Sequence, residues 1–281
     1  MSDNVEDQIY ELHEVSERLL DEGDILAALE TARKARAIVE ANADDVPLET
    51  AIDTLFLLAG VLIEADRPGE ALDLYEQISE LEPGNEELLF CRGVALLHLA
   101  KFKEARPLIE GCLEVTENEA EARWHLAVIA EFLGDDEEAN RLFREAHRLQ
   151  PETLPEPIRM GPREVESLLN GVIEELPEEV RTALDNVVIQ VEPLPSAELL
   201  REGDPPLSPF VLGLHVGSPW GDQSVFAQPT DLDRILIFQR NIERIAADPE
   251  GLREQLHITL LHEIGHHLGW DEEDLADRGL D

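Results

Sequence analysis

The first half of the chain carries a small-residue pattern with a period longer than one helix. Ala71, Ala105 and Ala139 stand 34 residues apart, and residues 70–75, 104–109 and 138–143 align around them without gaps. Each alanine opens the second helix of a predicted helix-turn-helix unit. Ala59, Gly93 and Ala127 keep the same period and let paired helices approach closely. A degenerate unit around residues 24–29 lies 43 residues before the next, which places a longer loop at 42–47. Near the other end, residues 248–269 read as one helix, with Asp248 as N-cap, Pro249 at the first helical position and Gly269 as the left-handed residue that stops it. Leu252, Leu256, Ile258, Leu260, Leu261, Ile264 and Leu268 cover too wide an arc for a surface helix, so this helix belongs to a core.

Between these regions, residues 151–162 hold four prolines and read as a semi-rigid linker. The chain of 281 residues is long enough for a core on either side. Residues 1–150 form the expected helical repeat domain and 163–281 the second domain. The irregular stretch 193–209 is expected as a surface loop, with a lid as the alternative. Cys91 and Cys112 have apolar neighbours and no metal-ligand spacing, which predicts two buried thiols.

The repeat residues resemble tetratricopeptide proteins, whose unit is 34 residues long. The likeness is partial, since Trp124 falls one position from the place of the consensus tryptophan. It implies an all-α stack of helical hairpins whose concave surface binds a protein or peptide. The basic clamp such arrays use for acidic C-terminal peptides is absent, so another kind of ligand is expected.

Metal-ligand chemistry at a meaningful spacing occurs once, inside the core helix, as His262-Glu263-Ile264-Gly265-His266 followed by Gly269. Histidines four apart share one helix face and can reach one ion, and the glutamate beside them suits a general base acting on water. A buried histidine pair is costly unless something occupies it. The short stretch of chain beyond the motif constrains the third ligand. Only 19 residues come after His262, so the distant glutamate of thermolysin-type zincins is not expected. Position 272 is Glu and the methionines are Met1 and Met160, so the third histidine and Met-turn of metzincins are missing too. The acidic run 271–274 remains, with Glu272 favoured by spacing and Asp271 and Asp274 as alternatives.

With the motif and its acidic run, residues 163–281 resemble the minimal zincin metallopeptidases of bacteria and archaea. The likeness extends over residues 164–169, 175–179, 186–192, 212–217 and 233–240 in order and spacing. It implies a small α+β domain with a short sheet packed on the motif helix and a single Zn²⁺. His262 and His266 match the two histidine ligands, and Glu263 matches the general base. Glu272 stands where the family usually has aspartate. Of the other histidines, His267 is expected in a packing or supporting role, while His215 and His257 are open candidates for stabilising an oxyanion. Trp220 and Trp270 are expected to pack near the site.

Charge narrows the partners. The net charge of −41 is spread over both halves, so it describes the whole surface and not one acidic tail. Such a surface repels phosphate backbones and favours cationic or unfolded peptides. No uncharged apolar run approaches membrane-spanning length and no signal peptide is visible, which predicts a cytoplasmic location without membrane or nucleic-acid binding. The expected function is a zinc-dependent peptidase with a protein-binding repeat array. The alternative is a non-catalytic repeat adaptor whose zincin-like domain binds metal without turnover.

Overall fold

The computed structural model describes residues 2–83, 85, 87–113, 118–184, 186–202, 206–217, 233–271 and 274. The chain divides into two compact units, one formed by Met1–Gln150 with Ala197–Pro209, the other by Pro151–Ser196 with Phe210–Asp281.

The first unit is a tetratricopeptide-like stack of four hairpins. These are α1 (Ser2–Asp21) with α2 (Ile25–Ala41), α3 (Leu48–Glu64) with α4 (Pro68–Leu81), α5 (Glu87–His98) with α6 (Phe102–Cys112), and α7 (Glu119–Phe132) with α8 (Asp136–Leu149). Each helix packs on its chain neighbours, as a solenoid requires. Ala71, Ala105 and Ala139 are fully buried, and so are Ala59 and Ala127. At Gly93 a Cβ would fall 2.4 Å from Ile109 Cγ1, so α5 and α6 can meet only over a glycine. Cys112 is buried and Cys91 partly so; burial pushes the Cys91 thiol up to about 12.

The hairpin turns share one backbone device. The second N–H of each turn bonds the carbonyl five residues back, as in Lys101 to Leu96 and Asp135 to Ala130. Closing that ring needs a left-handed residue, found at Gly23, Asp66, Ala100 and Gly134 with φ of 81°, 53°, 54° and 81°. The last three keep the 34-residue period, yet only Gly134 adopts this conformation without a Cβ penalty. Ala100→Gly should therefore stabilise the repeat unit by about 0.5–1 kcal/mol, the left-handed penalty less the added freedom of the unfolded chain. A higher thermal midpoint checks this; an unchanged or lower one would show that the turn carries no strain. Within the same unit Leu200 is fully buried, Leu207 N–H donates to Leu200 O, and Ser208 hydrogen-bonds Asp66.

The second unit is α+β. It runs α9 (Pro162–Glu175), α10 (Glu178–Ala183), β1 (Val188–Glu192), β2 (Gly213–Val216), β3 (Arg234–Phe238), α11 (Gln239–Ile245) and α12 (Pro249–His267). The sheet order is β1-β3-β2, with β3 parallel to β1 and antiparallel to β2. Ile235 and Ile237 of the central strand are fully buried in one core with Leu252, Leu256, Leu260 and Ile264 of α12. Val165, Leu169 and Val172 of α9 close the same core. Before α9, the end of the proline-rich segment is anchored: Met160 N–H donates to Glu243 of α11, and Gln239 donates to Met160 O.

Candidate metal centre

Helix α12 begins and ends where its caps dictate. The Asp248 carboxylate accepts from Gly251 N–H, Pro249 fills the first position, and Gly269 takes a φ of 86°. Trp270 N–H bonds Gly265 O and Gly269 N–H bonds His266 O, which closes the helix end and turns the chain back. Three faces of this helix do three things. Leu252, Leu256, Leu260 and Ile264 enter the core. Thr259, Glu263 and His267, four apart, are buried on a face that meets β2. His262 and His266 lie on the next face, half-buried.

The pair converges: His262 Nε2 and His266 Nε2 are 3.0 Å apart, with the rings nearly perpendicular at 79°. Two nitrogens bound to one tetrahedral Zn²⁺ at 2.0–2.1 Å stand about 3.3 Å apart, so the pair is already near ligand spacing. His266 Nδ1 lies 3.3 Å from Trp270 O. A carbonyl only accepts, so this bond puts the proton on Nδ1 and leaves the Nε2 lone pair for a ligand or for the His262 N–H. The turn at Gly269 thus supplies the acceptor that selects the tautomer.

Glu263 is 6% exposed and lies against β2. A Cβ at Gly213 would fall 2.9 Å from Glu263 Oε1 and 2.8 Å from Thr259 Cγ2, so only glycine lets the strand run this close to the helix.

Of the acidic run, Glu272 lies outside the described residues. Asp271 and Asp274 answer each other: Asp274 N–H donates to Asp271 Oδ1 at 2.9 Å, and Asp271 N–H meets Asp274 Oδ2 at 3.4 Å. The exchange uses one oxygen of each carboxylate. Trp220 also lies outside the described residues. His257 sits on α12 about 140° around the axis from His262, given 3.6 residues per turn.

A second group emerges that no spacing in the sequence assembles. His215 of β2, Asp233 before β3 and His267 of α12 bring their ligand atoms within 4.8 Å of one another. The His215 and His267 rings are 5.2 Å apart between centroids, and His267 Nδ1 is 3.7 Å from Asp233 Oδ2. Burial, then the neighbouring His267, lowers the His215 pKa, and Asp233 offsets part of this. His215 and His267 could be weighed singly in the sequence, but Asp233 carries no local signal; only the β2–β3 register places it beside them.

Residues 184–280 match the family model described as zincin-like metallopeptidase. No curated protein matches the chain. Among solved structures, the chain is similar to YrrB, a TPR protein with an unusual peptide-binding site, at 20% identity and a TM-score of 0.33 over 50% of this chain and 86% of that one. MamA from AMB-1 aligns at 22% identity and 0.38 over 50% and 78%. A MamA fragment from Desulfovibrio magneticus RS-1 aligns at 17% identity and 0.39 over 63% and 88%.

Proposed function

We propose that this protein, whose residues 184–280 match the zincin-like metallopeptidase model, is a zinc-dependent peptidase of the cytoplasm that carries its own partner-binding repeats. The observation that carries the reading is the His262–His266 pair at 3.0 Å with its tautomer selected by Trp270. These residues fit the ion: two imidazole nitrogens of defined tautomer stand at ligand spacing, half-buried, on a rigid helix. His262 and His266 would hold Zn²⁺, with Glu272 as the carboxylate third ligand proposed from spacing. Zinc at such a site acts as a Lewis acid on the scissile carbonyl and acidifies the attacking water.

Glu263 takes the water proton and returns it to the departing amine nitrogen, as a general base and then a general acid. Burial against Gly213 restricts its carboxylate to few rotamers, so it is held in place before substrate arrives. Among the described residues β2 is an edge strand of the sheet, which allows an extended peptide to lie beside Gly213 and present its carbonyl near Glu263.

The repeat array is assigned a protein or peptide partner of basic character. A cleft of about 520 Å³ in the first unit is lined by Tyr10, Glu14, Glu17, Asp53, Phe56 and Glu87 among others, which joins aromatic surface to carboxylates. Among the described residues no helix is long and apolar enough to cross a membrane. Nucleic acid is not a proposed ligand, given the net charge of −41.

Elemental analysis and a peptide library test the assignment. The wild type should bind zinc and cleave library peptides, and the His262→Ala, His266→Ala double variant should lose one zinc equivalent and all cleavage. Zinc bound at this pair without any cleavage would favour the adaptor reading. Unchanged zinc in the double variant would remove both.

A further inference from the structure

The face of β2 that meets α12 is a short ladder. Gly213 and His215 alternate onto it, as strand periodicity requires, and Gly217 follows the strand. Gly213 packs on Glu263, and His215 meets His267 one helical turn further on. Val216 pairs with Arg234, which sets Gly217 beside Asp233; a Cβ there would overlap Asp233 Oδ1 at 2.0 Å. The Asp233 carboxylate is thereby brought over the glycine toward the two imidazoles.

The spacing of His267 and Asp233 is too long for a hydrogen bond and close to that of ligands around an ion. His267 Nδ1 and Asp233 Oδ2 are 3.7 Å apart, and all three donor atoms fit within 4.8 Å. Ligands on one tetrahedral ion at 2.0–2.2 Å stand about 3.3–3.6 Å from each other, so side-chain shifts of up to about an ångström complete the set. His215 Nε2 is buried without a hydrogen-bond partner among the described residues. Burying an imidazole nitrogen unanswered is unfavourable, and a cation answers it.

We propose that His215, Asp233 and His267 form a second metal site, distinct from the His262–His266 pair, for a divalent first-row transition ion. Two imidazoles and one carboxylate suit Zn²⁺, Co²⁺, Fe²⁺ or Mn²⁺ and discriminate against Mg²⁺ and Ca²⁺, which prefer all-oxygen shells. The ion joins the end of β2, the entry to β3 and the last turn of α12. It therefore fixes the helix to the strand one turn from Glu263. The site does not require that the protein be a peptidase.

Cobalt(II) titration of the full chain, followed by its visible absorption and by elemental analysis, tests the proposal. The wild type should take up two equivalents. The His262→Ala, His266→Ala variant should retain one, and its thermal midpoint should rise on adding Co²⁺. His215→Gln and the near-isosteric Asp233→Asn should each keep one equivalent, and adding either to the double variant should abolish both binding and the thermal shift. Circular dichroism of each variant separates loss of the site from loss of the fold. A double variant that binds none while folded would overturn the second site. A variant at His215 or Asp233 that keeps both equivalents would do the same. Failure of the His262–His266 assignment alone would instead leave the equivalent at His215 and Asp233 intact.

Discussion

Glu263→Gln is expected to lower peptide turnover by about 10²–10⁴-fold, the usual worth of a general acid–base group. The substitution isolates proton transfer. Glutamine has nearly the same volume, so it keeps the close approach to Gly213 at which β2 meets α12. It leaves the His262–His266 pair alone, since their 3.0 Å approach is set by their own helix spacing and by the Trp270 carbonyl. Zinc content and the thermal midpoint should therefore stay as in the wild type. The loss should fall on kcat, because an amide that cannot accept the water proton raises the barrier without weakening peptide binding. Steady-state rates on a peptide cleaved by the wild type, with zinc measured on the same samples, provide the check. Equal turnover in the two proteins would take the general-base role away from Glu263.

What was legible in the sequence came from local periodicity. The histidine pair could be placed because four residues along one helix fix a common face, and the caps at Asp248 and Gly269 fix where that helix starts and stops. The repeat was legible because Ala71, Ala105 and Ala139 mark helices that must approach closely, and all three are fully buried. Its turns were less so: the left-handed residue at 66 and 100 is Asp and Ala, and without a glycine nothing marks that conformation. His215, Asp233 and His267 could not be joined from the sequence, since their meeting depends on the pairing of Val216 with Arg234 across the sheet. The third ligand stays a proposal for Glu272, while Asp271 and Asp274 are seen to cap each other.

Glu243 illustrates a structural role that composition conceals. In the sequence it is one of 63 acidic residues, on a helix with arginines on either side. In the fold it is 0% exposed. One carboxylate oxygen accepts from Met160 N–H at 3.1 Å and from Gln239 Nε2 at 2.6 Å; the other accepts from Arg159 and Arg240 Nη1, each at 3.1 Å. Four donors thus converge on one buried side chain, and two of them belong to the proline-rich segment 151–162.

Glu243→Ala should destabilise the second unit by about 2–4 kcal/mol, because it removes the buried carboxylate on which two amide donors and two partly exposed arginines converge. The two arginine side chains are about a quarter exposed, at 25% and 23%, so water relieves only part of that cost. Glu243→Gln should cost less, since the amide oxygen still serves one side of the network while its NH₂ opposes donors on the other. In denaturant titration of the full chain, the unfolding of the second unit should move to lower concentration and that of the repeats should stay. Because the same network anchors Met160 ahead of α9, the mutant should also become more open to proteolysis within 151–162. A loss under about 1 kcal/mol would mean that the surrounding groups find solvent instead, and that core packing alone holds this segment to α11.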